Sequence, residues 1–312
     1  MRPVVPILIA VALAGATRAI AGGPALDEAL VASGRVIYEA SCAPCHGFTG
    51  NGDGSAARWL EPRPRDFTRG AFKFRSTESG ALPTDADILR VVDVGVPGTA
   101  MPGWRAKLGE DERRAVVAYV KTLSPRFARA RRPPEERPVT PPPPDTPQLR
   151  WEGQQLFRLF RCAQCHGRGG RGDGPAAATT HDDWGRPIRP ADLVVGPLRS
   201  GGRPIDVFRV LDTGINGTPM PAYSQALLVG REALSSLTEI LAESGAGARP
   251  DLERFVTSMP TQAELDALSE EARVALASRR LWALATYVVG LGRPHGFSDW
   301  LFGDQPGRYP DQ

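Results

Sequence analysis

The 312-residue chain has few cysteines, methionines and histidines, four of each, and its only lysines are Lys73, Lys107 and Lys121. After the first twenty residues it lacks any apolar run near the ~20 residues that a membrane-spanning helix needs. Alternating patterns typical of strands are nearly absent. These absences disfavour a polytopic membrane protein and a β-sheet protein, while the length is enough for two domains.

The N-terminus has the composition of a secretory signal peptide. Residues 4–16 are apolar but too short to span a bilayer, and an Ala-Ile-Ala stretch at 19–21 fits the small-residue cleavage rule. We expect residues 1–21 to be removed and the protein to be periplasmic; an uncleaved N-terminal anchor is the alternative. Cleavage removes two arginines and no acidic residue, which lowers the formal charge from +3 to about +1. Such a charge gives no reason to expect nucleic acid or anionic lipid as a partner.

Two copies of a paired motif account for all four cysteines. Each copy is a Cys-x-x-Cys-His run followed by Gly-Thr-x-Met-Pro. The first copy contains Cys42, Cys45, His46 and Met101, and the second contains Cys162, Cys165, His166 and Met220. Cys-x-x-Cys-His is the attachment signature of c-type haem, and His with Met is a common axial pair on haem iron. The sequence therefore predicts two covalently bound haem c groups, each with His and Met as iron ligands.

Other uses of the four cysteines fit less well. A disulfide within Cys-x-x-Cys would close a small, strained loop and leave the adjoining histidine unexplained. A zinc site would have to join two pairs that lie 120 residues apart across a proline-rich tract. The iron ligand of the second half also has rivals to Met220. These are Met259, which is likewise followed by proline, and His181; the repeat alignment favours Met220.

The chain is an internal repeat. Residues 87–95 match residues 206–214 at an offset of 119, and the match continues through both Met-Pro motifs. Helical periodicity before each haem motif, at about 26–40 and 151–161, predicts an all-α protein. A capping box at Thr84 and Asp87 predicts a short helix that ends at Gly95. Further helices are predicted at 110–123, 227–244, 262–278 and 279–291.

These features together resemble class I cytochrome c domains, arranged here as a tandem di-haem cytochrome c. The matching elements are Gly34-x-x-x-Tyr38 and Gly153-x-x-x-Phe157 before the haem motifs, and a last helix bearing Tyr119 or Tyr287. The resemblance implies that each glycine lets the first and last helices cross closely above the haem. The predicted organisation is domain 1 at 26–125, a proline-rich linker at 126–149, domain 2 at 150–292 with a helical insertion at about 225–277, and a tail at 293–312.

Four further residues are candidates for haem contacts. A haem-ligating histidine usually donates its second ring N–H to a backbone carbonyl. The resemblance and the repeated Pro-x-Asp motif point to Pro64 and Pro190 for that role; the alternative is that these prolines only shape a loop. Trp104 and Tyr223, which follow the two methionine motifs, are candidates for contact with the haem carboxylates or for core packing.

The predicted function is outer-sphere electron transfer between redox protein partners, a donor and an acceptor. With both axial positions filled, neither iron has an open site for a substrate. One alternative is an electron-entry subunit docked to a membrane or periplasmic oxidoreductase complex, which the insertion and the linker motivate. A di-haem cytochrome c peroxidase is the other, but such enzymes need a haem that loses its sixth ligand, and the first half has no second histidine.

Overall fold

The computed structural model describes residues 27–234 and 237–292. The predicted signal peptide and the predicted tail therefore lie outside the described residues. The α-helices are α1 (Glu28–Ser41), α2 (Ala43–His46), α3 (Asp85–Val94), α4 (Glu110–Thr122), α5 (Pro125–Arg129), α6 (Pro147–Leu159), α7 (Ala163–His166), α8 (Pro204–Thr213), α9 (Leu237–Glu243), α10 (Arg249–Ser258), α11 (Gln262–Asp266) and α12 (Glu270–Leu291). The described ranges contain no β-strand, only an isolated bridge between His181 and Pro187. The predicted all-α class is confirmed.

Side chains at the helix ends determine where the helices begin and stop. The Asp27 carboxylate accepts hydrogen bonds from two backbone N–H groups in the first turn of α1. At the start of α3, Thr84 and Asp87 each accept from the other's backbone N–H, as a capping box requires. Gly95 then ends α3 with a φ of 72°. The capping box and the glycine stop predicted for this helix are confirmed.

In each half the first and last helices cross at a glycine. α1 packs on α4 in the first half, and α6 packs on α12 in the second. A Cβ atom at Gly34 would lie 1.9 Å from the carbonyl oxygen of Ala115, and one at Gly153 would lie 2.1 Å from that of Ala283. An aromatic pair lies beside each crossing, with ring centroids 5.1 and 5.5 Å apart. Only glycine lets the helix backbones approach this closely.

One more residue separates the crossing glycine from the haem motif in the second half than in the first. Cys42 comes eight positions after Gly34, whereas Cys162 comes nine positions after Gly153. α6 ends before the motif, and Arg161 takes a left-handed conformation with a φ of 54°. That conformation costs a non-glycine residue about 1–2 kcal/mol. The turn at Arg161 accommodates the extra residue, so that α7 forms as α2 does in the first half.

The insertion is helical, but its helices differ from those predicted. The predicted helix at 227–244 is wrong over its first half, because only α9 is α-helical there. The predicted helix at 262–278 is interrupted after α11. Ser269 accepts a hydrogen bond from the N–H of Ala272 and so starts α12 anew. The prediction has no counterpart to α10, whose Leu252 and Phe255 pack into the core of the second half.

Helix α9 of the insertion lies on the second haem motif. The Glu243 carboxylate accepts hydrogen bonds from Arg161 at 2.6 Å and from Gln164 at 2.9 Å. Arg168 donates to the backbone carbonyl of Glu243. The corresponding first-half residues are Ser41, Pro44 and Phe48. The insertion therefore packs on the second motif through contacts for which the first motif has no equivalent side chains.

The segment between α5 and α6 contacts both halves of the molecule. The backbone N–H of Arg137 donates to the carbonyl of Ser76 at 2.8 Å, and its guanidinium pairs with Asp212 at 2.7 Å. Farther along, the carbonyl of Thr140 accepts a hydrogen bond from the Trp282 indole at 3.1 Å. The predicted linker overlaps α5 and the first turn of α6, and its middle is packed along the two halves rather than separated from them.

The two halves also pack directly on each other. Arg75 of the first half donates to the carbonyl of Thr213, at the end of α8, at 2.6 Å. Arg90 on α3 donates to the carbonyl of Ser200 in the second half at 3.0 Å. Burial lowers the pKa of Arg75 to about 10, so the guanidinium remains charged at neutral pH. A cation at the carboxyl end of a helix complements the helix dipole.

Trp184, in the lengthened loop of the second half, adds a further contact between the halves. Its indole N–H donates to the Asp66 carboxylate at 3.1 Å. The guanidinium groups of Arg65 and Arg69 lie 4.7 and 5.2 Å from the ring centroid, within cation–π range. The extra length of this loop is thus used to reach the first half.

One helix of the described part of the chain, α12, is long and apolar enough to cross a membrane by length and composition. Its apolar window has a mean hydropathy of 1.2, and 72% of that window is buried inside the protein. Leu281, Trp282 and Leu284 belong to the core of the second half. In this fold α12 therefore packs as a core helix.

Replacing a crossing glycine with alanine should destabilise the protein. Gly34→Ala or Gly153→Ala is expected to lower the free energy of unfolding by about 1–3 kcal/mol, because the new Cβ atom forces the helix backbones apart. Gly290→Ala is the matched control, since a Cβ there meets nothing within 4 Å. That change should be neutral or stabilising by up to about 1 kcal/mol. Denaturant unfolding of the haem-loaded variants measures this, and equal effects at Gly153 and Gly290 would contradict the close crossing.

Candidate haem sites

Each Cys-x-x-Cys-His motif folds as a one-turn helix. In α2, the N–H groups of Cys45 and His46 both donate to the carbonyl oxygen of Cys42, at 3.1 and 2.9 Å. The same two bonds in α7 measure 3.2 and 2.9 Å. A glycine with a φ of 78° or 76° ends each helix. The turn brings the two thiols and the imidazole of a motif to the wall of one cavity.

The two cavities have similar sizes, about 190 Å³ in the first half and about 230 Å³ in the second. The first is lined by Cys42, Cys45, His46 and Met101 among mainly apolar side chains, and the second by Cys162, Cys165, His166 and Met220. The structure thus brings together, in each half, the four side chains that the motifs single out. In each half, a histidine and a methionine that lie 55 or 54 positions apart in the sequence therefore line the same cavity.

A backbone carbonyl fixes the orientation of each imidazole. Nδ1 of His46 lies 3.1 Å from the carbonyl oxygen of Arg65, and Nδ1 of His166 lies 3.0 Å from that of Ala191. A carbonyl oxygen only accepts, so Nδ1 carries the proton in this arrangement. The lone pair is then on Nε2, which is the arrangement that a haem-ligating histidine requires.

The carbonyl acceptors are the residues that follow the predicted ones. The sequence points to Pro64 and Pro190 as the acceptors for the histidines, and that prediction is wrong by one position in both halves. The Pro64 carbonyl instead faces Gly52, where a Cβ atom would lie 2.7 Å from it. Both prolines still line the cavities. The carbonyls of two successive residues point in different directions. The Pro-x-Asp motif alone therefore does not tell whether the carbonyl of the proline or that of the next residue faces the histidine ring.

Burial sets the protonation states of these groups. It lowers the pKa of His46 and of His166, so both imidazoles are neutral at neutral pH. A neutral imidazole is the form that binds a metal ion. Burial also raises the pKa of Cys42 to about 11 and of Cys162 to about 12, so both remain protonated thiols.

The two methionine loops share one hydrogen-bond pattern. The Met101 N–H donates to the Thr99 hydroxyl at 3.2 Å, and its carbonyl accepts from the Val96 N–H at 3.0 Å. The corresponding bonds at Met220 measure 3.3 and 3.0 Å. A glycine between these residues has a φ of 70° or 77°, which lets the loop turn back on itself. The threonine and the glycine of the motif therefore shape the loop that carries the methionine.

The rivals to Met220 lie elsewhere. Met259 is 2% exposed and packs in the core of the second half, where Arg231 donates to its carbonyl at 2.8 Å. His181 is exposed, and its Nδ1 lies 2.9 Å from the carbonyl of Thr179. Neither residue lines the second cavity.

The disulfide and zinc interpretations find no support in the geometry. All four cysteines are free thiols. Across 27–234 and 237–292, no group of three or more His, Cys, Asp or Glu side chains is placed to hold a metal ion. The cysteines instead face a large apolar space together with a histidine and a methionine.

The walls fit a flat apolar ring that carries carboxylates. Phe67 stacks on the His46 ring with centroids 4.6 Å apart. The indole nitrogen of Trp104, a residue that lines the first cavity, is buried and has no hydrogen-bond partner among the described residues. A buried, unpaired N–H costs about 1–3 kcal/mol, and a haem carboxylate would satisfy it. In the second half Tyr223 lines the cavity beside the Cys162 thiol.

Sequence reasoning missed several wall residues. Arg65 and Ala191 contribute main-chain carbonyls, and a carbonyl carries no side-chain signal. Lys73, Phe74 and Arg199 line the cavities from loops that the repeat alignment does not match. The sequence carries one signal for these residues, which is that Arg65 and Ala191 directly follow the repeated prolines.

Comparison with known proteins agrees with this division into two sites. The family model for cytochrome C oxidase, cbb3-type, subunit III, matches residues 29–120, and the model for cytochrome c matches residues 151–242. Cytochrome c55X of Paracoccus denitrificans (strain Pd 1222) is 34% identical over 113 residues, which are 36% of this chain and 89% of that protein.

A solved structure resembles nearly the whole described chain. A chain of the Kuenenia stuttgartiensis reducing HAO-like protein complex superposes with a TM-score of 0.65 at 34% sequence identity. The match covers 84% of this chain and 96% of that chain. The protein belongs to the cytochrome c family. Cytochrome c domains imply electron transfer by covalently bound haem c, and two such domains in tandem indicate two haems.

The unpaired indole of Trp104 gives a test of the first site. Trp104→Phe in the haem-loaded protein should lower the reduction potential of the first haem, because loss of the N–H donor leaves more negative charge on a haem carboxylate and favours ferric iron. Trp282→Phe is the matched control, since its indole bonds to Thr140, away from both cavities. Spectroelectrochemical titration measures both variants. No shift with Trp104→Phe, or an equal one with the control, would contradict the assignment.

Proposed function

We propose that this protein is an exported di-haem cytochrome c that transfers single electrons between redox proteins, with His46 and Met101 on one iron and His166 and Met220 on the other. The observation that carries the proposal is that the histidine and the methionine of each repeat line the same apolar cavity. Two neutral imidazoles with free Nε2 atoms and two thioethers would supply four ligands to two haem irons. His with Met is the axial pair of cytochromes c.

The residues of the chain would each have a defined role. Cys42 and Cys45 in the first half, and their counterparts in the second, would hold the haem through thioether bonds. The carbonyls of Arg65 and Ala191 keep each imidazole aligned, and the methionine loops hold the second ligand. Bound haem c supplies the one-electron ferric/ferrous couple. The chain takes one electron from a reducing protein and passes one to an oxidising protein, so no atoms are transferred and no open coordination position is required.

Export is supported by the N-terminal sequence. Residues 1–21 have the apolar stretch and the small-residue cleavage site of a signal peptide. Attachment of haem to Cys-x-x-Cys-His motifs takes place outside the cytoplasm, so the motifs and the leader agree. We place the mature protein in the periplasm. N-terminal sequencing of the periplasmic fraction tests this, with Gly22 expected as the first residue and an intact N-terminus contradicting cleavage.

A second candidate is a subunit docked to a larger oxidoreductase. The structural relative with a TM-score of 0.65 is a chain of a protein complex, and that observation favours this candidate. Size-exclusion chromatography of gently extracted native protein separates the two. Elution with a large complex supports the docked subunit, and elution as a monodisperse monomer supports the free carrier.

Peroxidase activity fits the sites less well. A haem peroxidase needs a coordination position open to hydrogen peroxide, whereas each cavity here has both a histidine and a methionine in its wall. His181 lies outside the lining of the second cavity. Hydrogen-peroxide turnover by the reduced holoprotein is expected to be negligible, and rapid turnover would assign the protein to the enzymes instead.

The axial ligands can be tested one at a time. Met101→Ala and Met220→Ala should each remove half of the iron–thioether charge-transfer absorption of the oxidised protein, because each takes one of two sulfur ligands away. Met259→Ala is the control: it removes a buried methionine that lines neither cavity, so it should lower stability by about 2–5 kcal/mol and leave the absorption intact. Retention of the full band in Met220→Ala would overturn the second ligand pair.

A further inference from the structure

The two cavities share part of their walls. Lys73 and Phe74 of the first half and Arg199 of the second half line both cavities. Each shared residue lies in the loop between the Pro-x-Asp motif and the following helix, α3 in the first half and α8 in the second. The two haem sites are therefore separated by a thin layer to which each half contributes one loop.

Hydrogen bonds across the interface hold both loops in place. Arg75, next to Phe74, donates to the carbonyls of Thr213 and Gly214 at the end of α8. Ser200, next to Arg199, accepts from Arg90 on α3. Arg75 is 3% exposed, so its bonds are shielded from water. Each half thus holds the loop of the other through hydrogen bonds across the interface.

The two cations in this layer lack carboxylate partners. Among the described residues, neither Lys73 nor Arg199 forms an ion pair or a side-chain hydrogen bond. Other basic residues at the interface are satisfied: Arg137 pairs with Asp212, and Arg75 binds main-chain carbonyls. A haem brings two carboxylates to its site, and charge-assisted pairing with carboxylates is the arrangement that a partly buried cation favours. The two cations are therefore available to pair with the carboxylates that a haem in either cavity would supply.

We propose that Lys73, Phe74 and Arg199 form a shared wall that couples the two haem sites, with the two cations raising the reduction potentials of both haems together and the Phe74 ring forming the packed contact between the sites. The proposal rests on the proposed function. With haem c bound at both sites, the coupled step would move one electron between them, so that one iron would be oxidised from ferrous to ferric and the other reduced from ferric to ferrous. No proton or group moves.

The sign of the electrostatic effect follows from charge. A ferric haem carries one more positive charge than a ferrous haem, so a nearby cation disfavours oxidation and raises the reduction potential. Removal of a cation that lines one cavity should lower the reduction potential of the haem in that cavity. Removal of a cation that lines both cavities should lower the reduction potentials of both haems. Burial in an apolar wall strengthens the effect, because water screens the charge less.

The chain offers matched single-site controls. Arg63 precedes Pro64 and lines only the first of the two haem cavities, and Arg189 precedes Pro190 and lines only the second. Both are exposed arginines at equivalent positions of the repeat. Arg63→Gln and Arg189→Gln therefore remove the same charge as Arg199→Gln, but from one cavity each. They also assign the two measured potentials to the two halves.

The experiment is a spectroelectrochemical titration of the haem-loaded wild type and of the three arginine variants. Arg199→Gln is expected to lower both midpoint potentials, whereas Arg63→Gln lowers only one and Arg189→Gln lowers only the other. Lys73→Gln should repeat the pattern of Arg199→Gln. A shift of a single potential in Arg199→Gln, or of none, overturns the shared wall.

A second measurement addresses Phe74. Electron exchange between the two haems of half-reduced protein is followed by magnetisation transfer between methionine-methyl resonances, with dilution to separate exchange within a molecule from exchange between molecules. Phe74→Leu should slow the exchange, whereas Phe72→Leu, which alters only the first cavity, should not. Equal rates of electron exchange in Phe74→Leu and Phe72→Leu count against the shared wall. The low-spin His/Met spectrum of each variant tests the proposed function separately. If that spectrum is intact but the reduction potentials do not shift, the shared wall is refuted and the proposed function is not.

Discussion

The close crossing of the first and last helices at a glycine is the contact on which each half of this molecule depends. At Gly34 and Gly153 the backbone of one helix lies against a carbonyl of the other, where no side chain fits. The haem motif begins eight residues after this point in the first half and nine in the second, so the crossing determines where its thiols and imidazole are delivered. Apolar side chains of the last helix line the same cavity: Val116 and Val120 in the first half, and Leu284 and Val288 in the second. A shift of the crossing would move the histidine relative to the methionine loop, which lines the same cavity.

The two halves repeat this plan with unequal surroundings. The first motif follows its helix directly and presents uncharged side chains at the positions where the second carries Arg161, Gln164 and Arg168. The second motif accommodates an extra residue through a left-handed arginine and is held by Glu243 of the insertion. The insertion therefore stabilises the edge of the second site, and the lengthened loop with Trp184 binds the first half. The two halves thus have equivalent cavities, and the features in which they differ supply contacts within and between the halves.

Much of the fold follows from local chemistry that the sequence displays. Thr84, Asp87 and Gly95 predict both ends of α3, because capping and a left-handed stop depend only on neighbouring residues. The haem motifs and the methionine motifs predict which side chains share a cavity. What could not be predicted depends on tertiary contacts. The main-chain carbonyls of Arg65 and Ala191 face the imidazoles because of how the Pro-x-Asp turn packs on Gly52 and Gly172. The shared wall exists only because two separate loops meet at the interface.

Each half is proposed to bind its own haem independently of the other, through its own motif. Intact-mass measurement of the denatured protein tests this most directly, since a thioether-bound haem stays attached when the fold is lost. The wild type should carry the mass of two haems. Replacing Cys42 and Cys45 with serine should leave one haem, and so should replacing Cys162 and Cys165. A wild type with one haem or none, or a pair replacement that removes both haems or neither, would contradict the account.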